Sequence, residues 1–163
     1  LMARMLILDE EELPTPQAIE FLRAAGMDAQ ILETRANTRP YNFVDTCHTI
    51  PVGYTRVKQG GAINAGGREW DVHIGNGHAP EHLTLWSRSD NLVLAGDQII
   101  SSISPNLGVY PTEPDADPVA EWLEACGRLA ELAKPEHLVL SGHKRVFSGL
   151  PIRMRHLLAC ASQ

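Results

Sequence analysis

The sequence feature that most restricts the fold is a pattern that occurs three times: an apolar run, a glycine and then a histidine or an aspartate. The three copies are WDVHIGNGH, ending at His78, NLVLAGD, ending at Asp97, and HLVLSGH, ending at His143. Each apolar run is typical of a short β-strand, and the glycine lets the chain turn sharply. Taken alone, each of these polar residues is more typical of an ordinary turn or cap. Their recurrence favours a common role at strand ends.

Loops at one end of a sheet are where a scaffold collects its functional groups. Two imidazoles and one carboxylate are also ligands that zinc and similar metals prefer. The recurrence therefore makes His78, Asp97 and His143 candidate metal ligands at strand ends, beside their ordinary roles in turns and caps.

Helices are predicted on both sides of this β-rich region. Their starts and stops are Thr15-Pro16 to Gly26, Asp117-Pro118 to Pro135, and Pro151 to the chain end. Further predicted features are a strand at 4–8, an irregular connection at 33–45, a strand-like run at 49–57 and a hairpin at 89–91. Trp70, Trp86 and Trp122 are predicted core residues. Strands flanked by helices indicate an α+β layered fold.

Composition narrows the class of protein. The chain has 163 residues, the usual size of one domain, and a net charge of -6, which argues against a nucleic-acid partner. No apolar run approaches the roughly 18 residues that cross a bilayer, so no membrane partner is expected. Three separated cysteines form no disulfide framework, and the N-terminus does not resemble a secretory signal. We therefore expect a cytoplasmic protein with buried or half-buried reduced thiols.

Signatures of several other enzyme classes are absent from the sequence. It has no GxSxG nucleophile elbow, no GxxxxGK[ST] phosphate loop and no HExxH zinc helix. The run HAPEH places His78 and His82 four residues apart, but Pro80 and the neighbouring glycines argue against a helix there. A helical zinc pair is therefore not expected.

The segments GNGHAPEHLTLW, NLVLAGDQII and HLVLSGHKRVF resemble three metal motifs of the metallo-β-lactamase-fold hydrolases, in order and in flanking strands. The resemblance covers residues 50–147 and, more loosely, 4–12. It implies an α/β (α+β) αββα sandwich, of which this chain is the C-terminal half. Residues 1–163 are then a single partial domain: a strand, helix and connection at 1–45, the β-rich metal-motif region with a crossover helix at 46–147, and a terminal helix at 148–163.

The resemblance also implies a role for each site residue. His78 would bind one metal ion, His143 a second, and Asp97 would bridge the two, while His82 would support the site without binding metal. The expected ions are two zinc ions in the intact parent, with iron or manganese as alternatives. The family's HxHxDH motif is absent, since no two histidines here lie two residues apart. We expect that motif upstream of Leu1, so that this chain alone is inactive.

The function implied for the parent is metal-dependent hydrolysis of an ester or thioester of a small molecule. A small-molecule substrate is favoured because the acidic chain lacks a basic track for nucleic acid, and homo-oligomerisation is left open. The alternative is a non-catalytic interaction module that keeps the fold. Ser104 and Tyr110 lie in a loop that is expected to border the substrate or to serve packing alone.

Overall fold

A computed structural model describes residues 10–48 and 53–160, which form two compact units. The first comprises the described residues up to Thr55 together with Tyr110–Asp115, and the second comprises Arg56–Val109 together with the described residues from Ala116 onward. The strand expected at 4–8 and part of the run at 49–57 lie outside the described residues. The assignment of 1–163 to one partial domain stays a prediction.

The first unit contains two short helices, α1 (Pro16–Ala24) and α2 (Ala29–Ala36), and a 3-10 turn at Phe43–Asp45. The Thr15 hydroxyl accepts a hydrogen bond from the Ala18 amide and so caps α1, as its sequence predicts. The expectation of an irregular connection at 33–45 is wrong for 33–36. The Asp28 carboxylate accepts the free amides at the start of α2, which stabilises a helix there.

The second unit is built on one mixed sheet with the order β1-β2-β3-β4-β5. Its strands are β1 (Ala62–Ala65), β2 (Arg68–Gly75), β3 (His82–Ser87), β4 (Leu92–Gly96) and β5 (Leu138–Ser141). Neighbouring strands are antiparallel except β4 and β5, which are parallel and are joined through helix α3 (Pro118–Leu132). Helix α4 (Leu150–Cys160) follows. The α+β fold class is confirmed, and residues 53–57 are not a strand, contrary to expectation.

This topology decides where the three glycine-terminated strands end. Because β2 and β4 are both antiparallel to β3, they run in the same direction, and β5 runs parallel to β4. The C-terminal ends of β2, β4 and β5 therefore lie at one edge of the sheet. The loops that carry His78, Asp97 and His143 leave from that edge.

The core of the second unit lies between one face of the sheet and helices α3 and α4. It contains Trp86, Val93, Ala95 and Val139 from the strands, together with side chains of both helices: Trp122, Cys126, Leu129, Leu150, Met154 and Leu157. Trp70, Trp86 and Trp122 are all buried, which confirms their assignment. Within the described ranges, no helix is long and apolar enough to cross a bilayer.

Candidate metal centre

Three side chains meet at the C-terminal edge of the sheet. Asp97 Oδ2 lies 3.5 Å from His78 Nε2 and 3.4 Å from His143 Nε2. The three line a cavity of about 610 Å³, whose other walls are Ile100, Ile103, Ser104, Pro105, Asn106 and Lys144. The structure thus brings together all three residues that the sequence pattern selects, while their role as metal ligands stays a prediction.

Two glycines allow the Asp97 carboxylate and the His82 ring to come this close. A Cβ at position 142 would overlap Asp97 Oδ1, and a Cβ at position 96 would overlap His82 Nε2. Any side chain at Gly142 would therefore displace the carboxylate that faces both histidines. Gly96 also has a φ of +52°, a conformation that glycine adopts readily.

The Asp97 carboxylate is only partly satisfied by the protein. Oδ1 is buried and has no hydrogen-bond partner among the described residues, and Oδ2 faces the two imidazoles. A buried carboxylate oxygen without a donor is costly, since an ionised group out of water needs a proton donor or a cation. The unpartnered Oδ1 therefore fits a carboxylate that interacts with a cation.

His78 is oriented by a hydrogen bond to a backbone carbonyl. His78 Nδ1 lies 2.9 Å from the Asn106 carbonyl oxygen. A carbonyl only accepts, so Nδ1 donates this hydrogen bond, and Nε2 is left facing the Asp97 carboxylate. Metal-bound histidines commonly have this outer hydrogen bond.

His82 lies beside the centre, at the start of β3. Its ring centroid is 5.7 Å from that of His78, and its Nε2 packs against Gly96. Burial lowers the pKa of His82, and the neighbouring His78 lowers it further, while Asp97 and a hydrogen bond to the Ala95 backbone raise it. At this position the His82 ring packs against His78. The role of His82 in supporting the site stays a prediction.

The donor set fits a two-metal centre in part. Two ligands of a tetrahedral zinc ion at about 2.0–2.1 Å are separated by about 3.4 Å, close to both Nε2–Oδ2 distances. However, in the part of the chain that the structure describes, no group of three or more His, Cys, Asp or Glu could hold a metal ion. Each ion would thus have two ligands from this chain, fewer than the three that a catalytic zinc ion takes.

Sequence reasoning missed two residues of this site, Asn106 and Arg153. Asn106 acts through its backbone carbonyl, which any residue has, so side-chain chemistry carries no signal for it. Arg153 lies on α4, far along the chain, and contacts the loop after Asp97. Ser104 lines the cavity, whereas Tyr110 belongs to the first unit and is absent from the described lining.

The chain is similar to several solved structures. A β-lactamase domain protein from Burkholderia ambifaria is 37% identical, with a TM-score of 0.67 over 73% of this chain and 37% of its own. A metallo-β-lactamase family protein from Thermus thermophilus is 23% identical, with a TM-score of 0.63 over 88% of this chain and 43% of its own. ETHE1 from Myxococcus xanthus is 18% identical, with a TM-score of 0.52 over 66% of this chain and 46% of its own.

The chain spans less than half the length of each of these three structures. At their low identity, the second and third establish the fold alone. No family model matches the chain, and no curated protein matches it.

Proposed function

The chain is part of a metallo-β-lactamase-fold domain, and on that premise we propose that its parent protein is a metal-dependent hydrolase. The observation that carries the proposal is the meeting of His78, Asp97 and His143 through Asp97 Oδ2 at one sheet edge. These groups come from three separate loops, and one cavity opens onto all of them. Such a convergence of imidazole and carboxylate in a concave site is typical of a catalytic centre.

In this proposal His78 and Asp97 hold one zinc ion, and His143 and Asp97 hold the second. Zinc held there would supply an activated water molecule near neutral pH and a positive charge to polarise the carbonyl of the bond to be cleaved. The protein's own residues set the geometry: Gly142 leaves room for the carboxylate, and the Asn106 carbonyl orients His78. His82 packs beside His78 and limits its movement.

We propose an ester or thioester of a small acyl compound as substrate. Ile100, Ile103 and Pro105 form an apolar part of the cavity wall beside the polar centre, which suits an acyl chain next to a carbonyl. The net charge of -6 also argues against a polyanionic substrate.

Two observations favour the alternative of a non-catalytic interaction module. Among the residues that the structure describes, no group of three ligands could hold a metal ion, and the sequence has no HxHxDH motif. Under this alternative, the parent protein binds no zinc and hydrolyses no ester.

The proposal is tested by measuring zinc binding and hydrolysis in the same protein preparations. The chelator-treated 163-residue chain and the parent protein that carries an HxHxDH segment are dialysed against zinc, and bound metal is measured. Both are then assayed with an acyl thioester and with a phosphodiester. We expect the chain alone to bind zinc weakly with negligible turnover, because two ligands for each ion leave it exposed to water. We expect the parent to bind two ions and to prefer the thioester.

Asp97→Asn in the parent protein tests the bridging role. The loss of activity should exceed the about 10–100-fold that removal of an outer hydrogen-bond partner costs, because both ions lose a ligand. The control is His156→Gln, which changes an exposed histidine on α4 and should leave metal content and turnover unchanged. Two tightly held ions with ordinary turnover in the 163-residue chain would show that the ligand set is misidentified. A parent without zinc would support the interaction module.

A further inference from the structure

We infer that Lys144 makes the cavity beside the metal centre a site for an anionic substrate: its ammonium group pairs with a carboxylate that the acyl compound carries close to the bond to be cleaved. The inference deepens the proposed function and rests on it for the acyl compound. The pairing itself requires neither metal nor turnover, so it can be measured separately.

The first step is the position of Lys144. It directly follows His143 in the loop that leaves the C-terminal end of β5, and it lines the same cavity as His78, Asp97 and His143. Among the lining residues that the structure describes, it is the only lysine or arginine. A lysine has a flexible stem and an ammonium group with three donors, which suits a carboxylate on a ligand that moves within the cavity.

The second step is that the ammonium group of Lys144 is not engaged elsewhere. Lys144 is exposed, and within the described ranges no hydrogen bond or ion pair joins it to another residue. In contrast, the exposed side chains of Arg68 and Arg88 each pair with a carboxylate. Asp97 is the acidic residue of the cavity lining, and its carboxylate faces the two imidazoles. The positive charge of Lys144 is therefore available to a ligand.

The third step concerns the backbone at this position. Lys144 has a φ of +69°, in the left-handed region that favours glycine. Near the ends of β2 and β4, glycines at positions 77 and 96 adopt such positive φ values. A lysine in this conformation costs free energy that a glycine would avoid, and strain of this kind is common at functional sites. What lysine supplies and glycine lacks is a charged side chain.

The fourth step is the distribution of charge. Residues 137–163 contain four of the chain's 14 lysines and arginines and none of its 20 aspartates and glutamates. Arg153, in the same segment, donates to the Ile100 and Ile103 carbonyls of the cavity wall, so its charge also lies close to the cavity. An excess of one sign at a cleft attracts ligands of the opposite sign, even where the net charge of the chain disfavours them. One lysine in the lining suits a single carboxylate.

The experiment compares three thioesters that differ in the place of one carboxylate. S-pentanoyl-N-acetylcysteamine is neutral, S-glutaryl-N-acetylcysteamine has a carboxylate on the acyl side, and S-pentanoyl-β-mercaptopropionate has one on the thiol side. Each is titrated at low ionic strength into the chelator-treated, 15N-labelled 163-residue chain, and the shifts of the amide signals give the Kd. We expect at least one carboxylate probe to bind about fivefold more tightly than the neutral probe, the upper end of what an exposed ion pair contributes.

Lys144→Met should abolish this preference, and Lys144→Arg should keep it. The matched control is Lys134→Met, which removes the same charge from an exposed lysine just after α3, outside the described lining, and should leave the preference unchanged. Lys144→Gly should abolish the preference without lowering the urea midpoint, because glycine suits the positive φ. That combination separates a lysine that acts through its charge from one that the fold requires.

Two results would overturn the inference: carboxylate probes that bind the unsubstituted chain no more tightly than the neutral probe, or a preference that survives in a folded Lys144→Met variant. If that variant lacks the backbone spectrum of the folded chain, Lys144→Gly decides in the same way. Failure of the proposed function has a different signature. A parent protein that binds no zinc and hydrolyses no thioester, with a carboxylate preference that still depends on Lys144, removes the hydrolase and leaves the anion site intact.

Discussion

Strands β4 and β5 are apolar on both faces of the five-stranded sheet, but the two faces are packed very differently. Residues paired across neighbouring antiparallel strands share a face, so Trp86 and Val93 belong to one face and Leu85 and Leu94 to the other. Helices α3 and α4 cover the first face, where Val93 and Val139 are fully buried. We call this the helix-covered face.

The opposite face, which we call the leucine face, is rich in leucine but less enclosed. Leu85, Leu94 and Leu140 are half-buried, and Leu83 and Leu138 are 38% and 46% exposed. Trp70 and Val72, which lie next to β1, are buried on this face. A sheet that is apolar on both faces is typical of a layer buried between two others, as in a sandwich. Stability within the second unit should therefore depend mainly on the helix-covered face.

A charge introduced on each face should give the largest contrast. Val139→Asp places an unpaired carboxylate in the helix-covered core, which costs several kcal/mol and should prevent folding. Leu138→Asp changes the adjacent residue of β5, which is on the leucine face and 46% exposed, and the chain should stay folded. Circular dichroism and urea denaturation measure both. Equal damage from the two variants would contradict the difference between the faces.

Truncation of neighbouring residues of β4 should give a smaller contrast. Val93→Ala leaves a cavity at a fully buried site and should lower the free energy of unfolding by about 2 kcal/mol. Leu94→Ala removes a larger group but from a half-buried position, so we expect a loss of about 1 kcal/mol. The urea midpoints of both variants test this, and a larger loss for Leu94→Ala would show that the leucine face is enclosed.

The smallest effect concerns pH and a histidine at the rim of the helix-covered face. His137 is buried against Trp86, with ring centroids 5.1 Å apart, and its Nδ1 accepts the Lys134 amide proton. Burial, and then the nearby Lys134, lower the pKa of His137 below its usual 6.5. The unfolded chain therefore takes up the proton first as the pH falls. This stabilising contribution is present above pH 6.5 and is lost as the pH falls through the folded-state pKa.

His137→Gln should weaken that pH dependence, because glutamine retains an acceptor for Lys134 and does not titrate. We expect the unsubstituted chain to lose more stability than the variant between about pH 7.5 and about pH 5. Thermal unfolding at both pH values measures the difference. Identical losses in the two proteins would show that His137 does not contribute.

Local sequence signals predicted most of the elements because their causes are local. Thr15 with Pro16, and Asp117 with Pro118, have the capping and first-turn chemistry that starts a helix, and both helices form. The sequence does not predict α2 because its apolar spacing is weak, although Asp28 supplies the same local capping chemistry at its start. Residues 53–57 have strand-like composition without a partner strand in the described sheet, and composition alone does not make a strand.

The cysteines also show which features local sequence signals predict and which they do not. The sequence predicts buried or half-buried thiols, and Cys126 is buried, with a pKa raised to about 12 mainly by burial. Cys47, in contrast, is exposed, which corrects that expectation. Burial depends on which elements pack together, and spacing along the chain does not reveal it.

The sequence by itself determined which residues are candidates for chemistry at the strand ends: a glycine followed by His78, Asp97 or His143 is a local pattern. Only the tertiary structure decided that these residues meet. The parallel alignment of β2, β4 and β5 puts their C-terminal ends at one edge, and Gly142 leaves room for the Asp97 carboxylate. His78 is oriented by a hydrogen bond to the Asn106 backbone carbonyl, and hydrogen bonds to the backbone follow the path of the folded chain and not the identity of its residues.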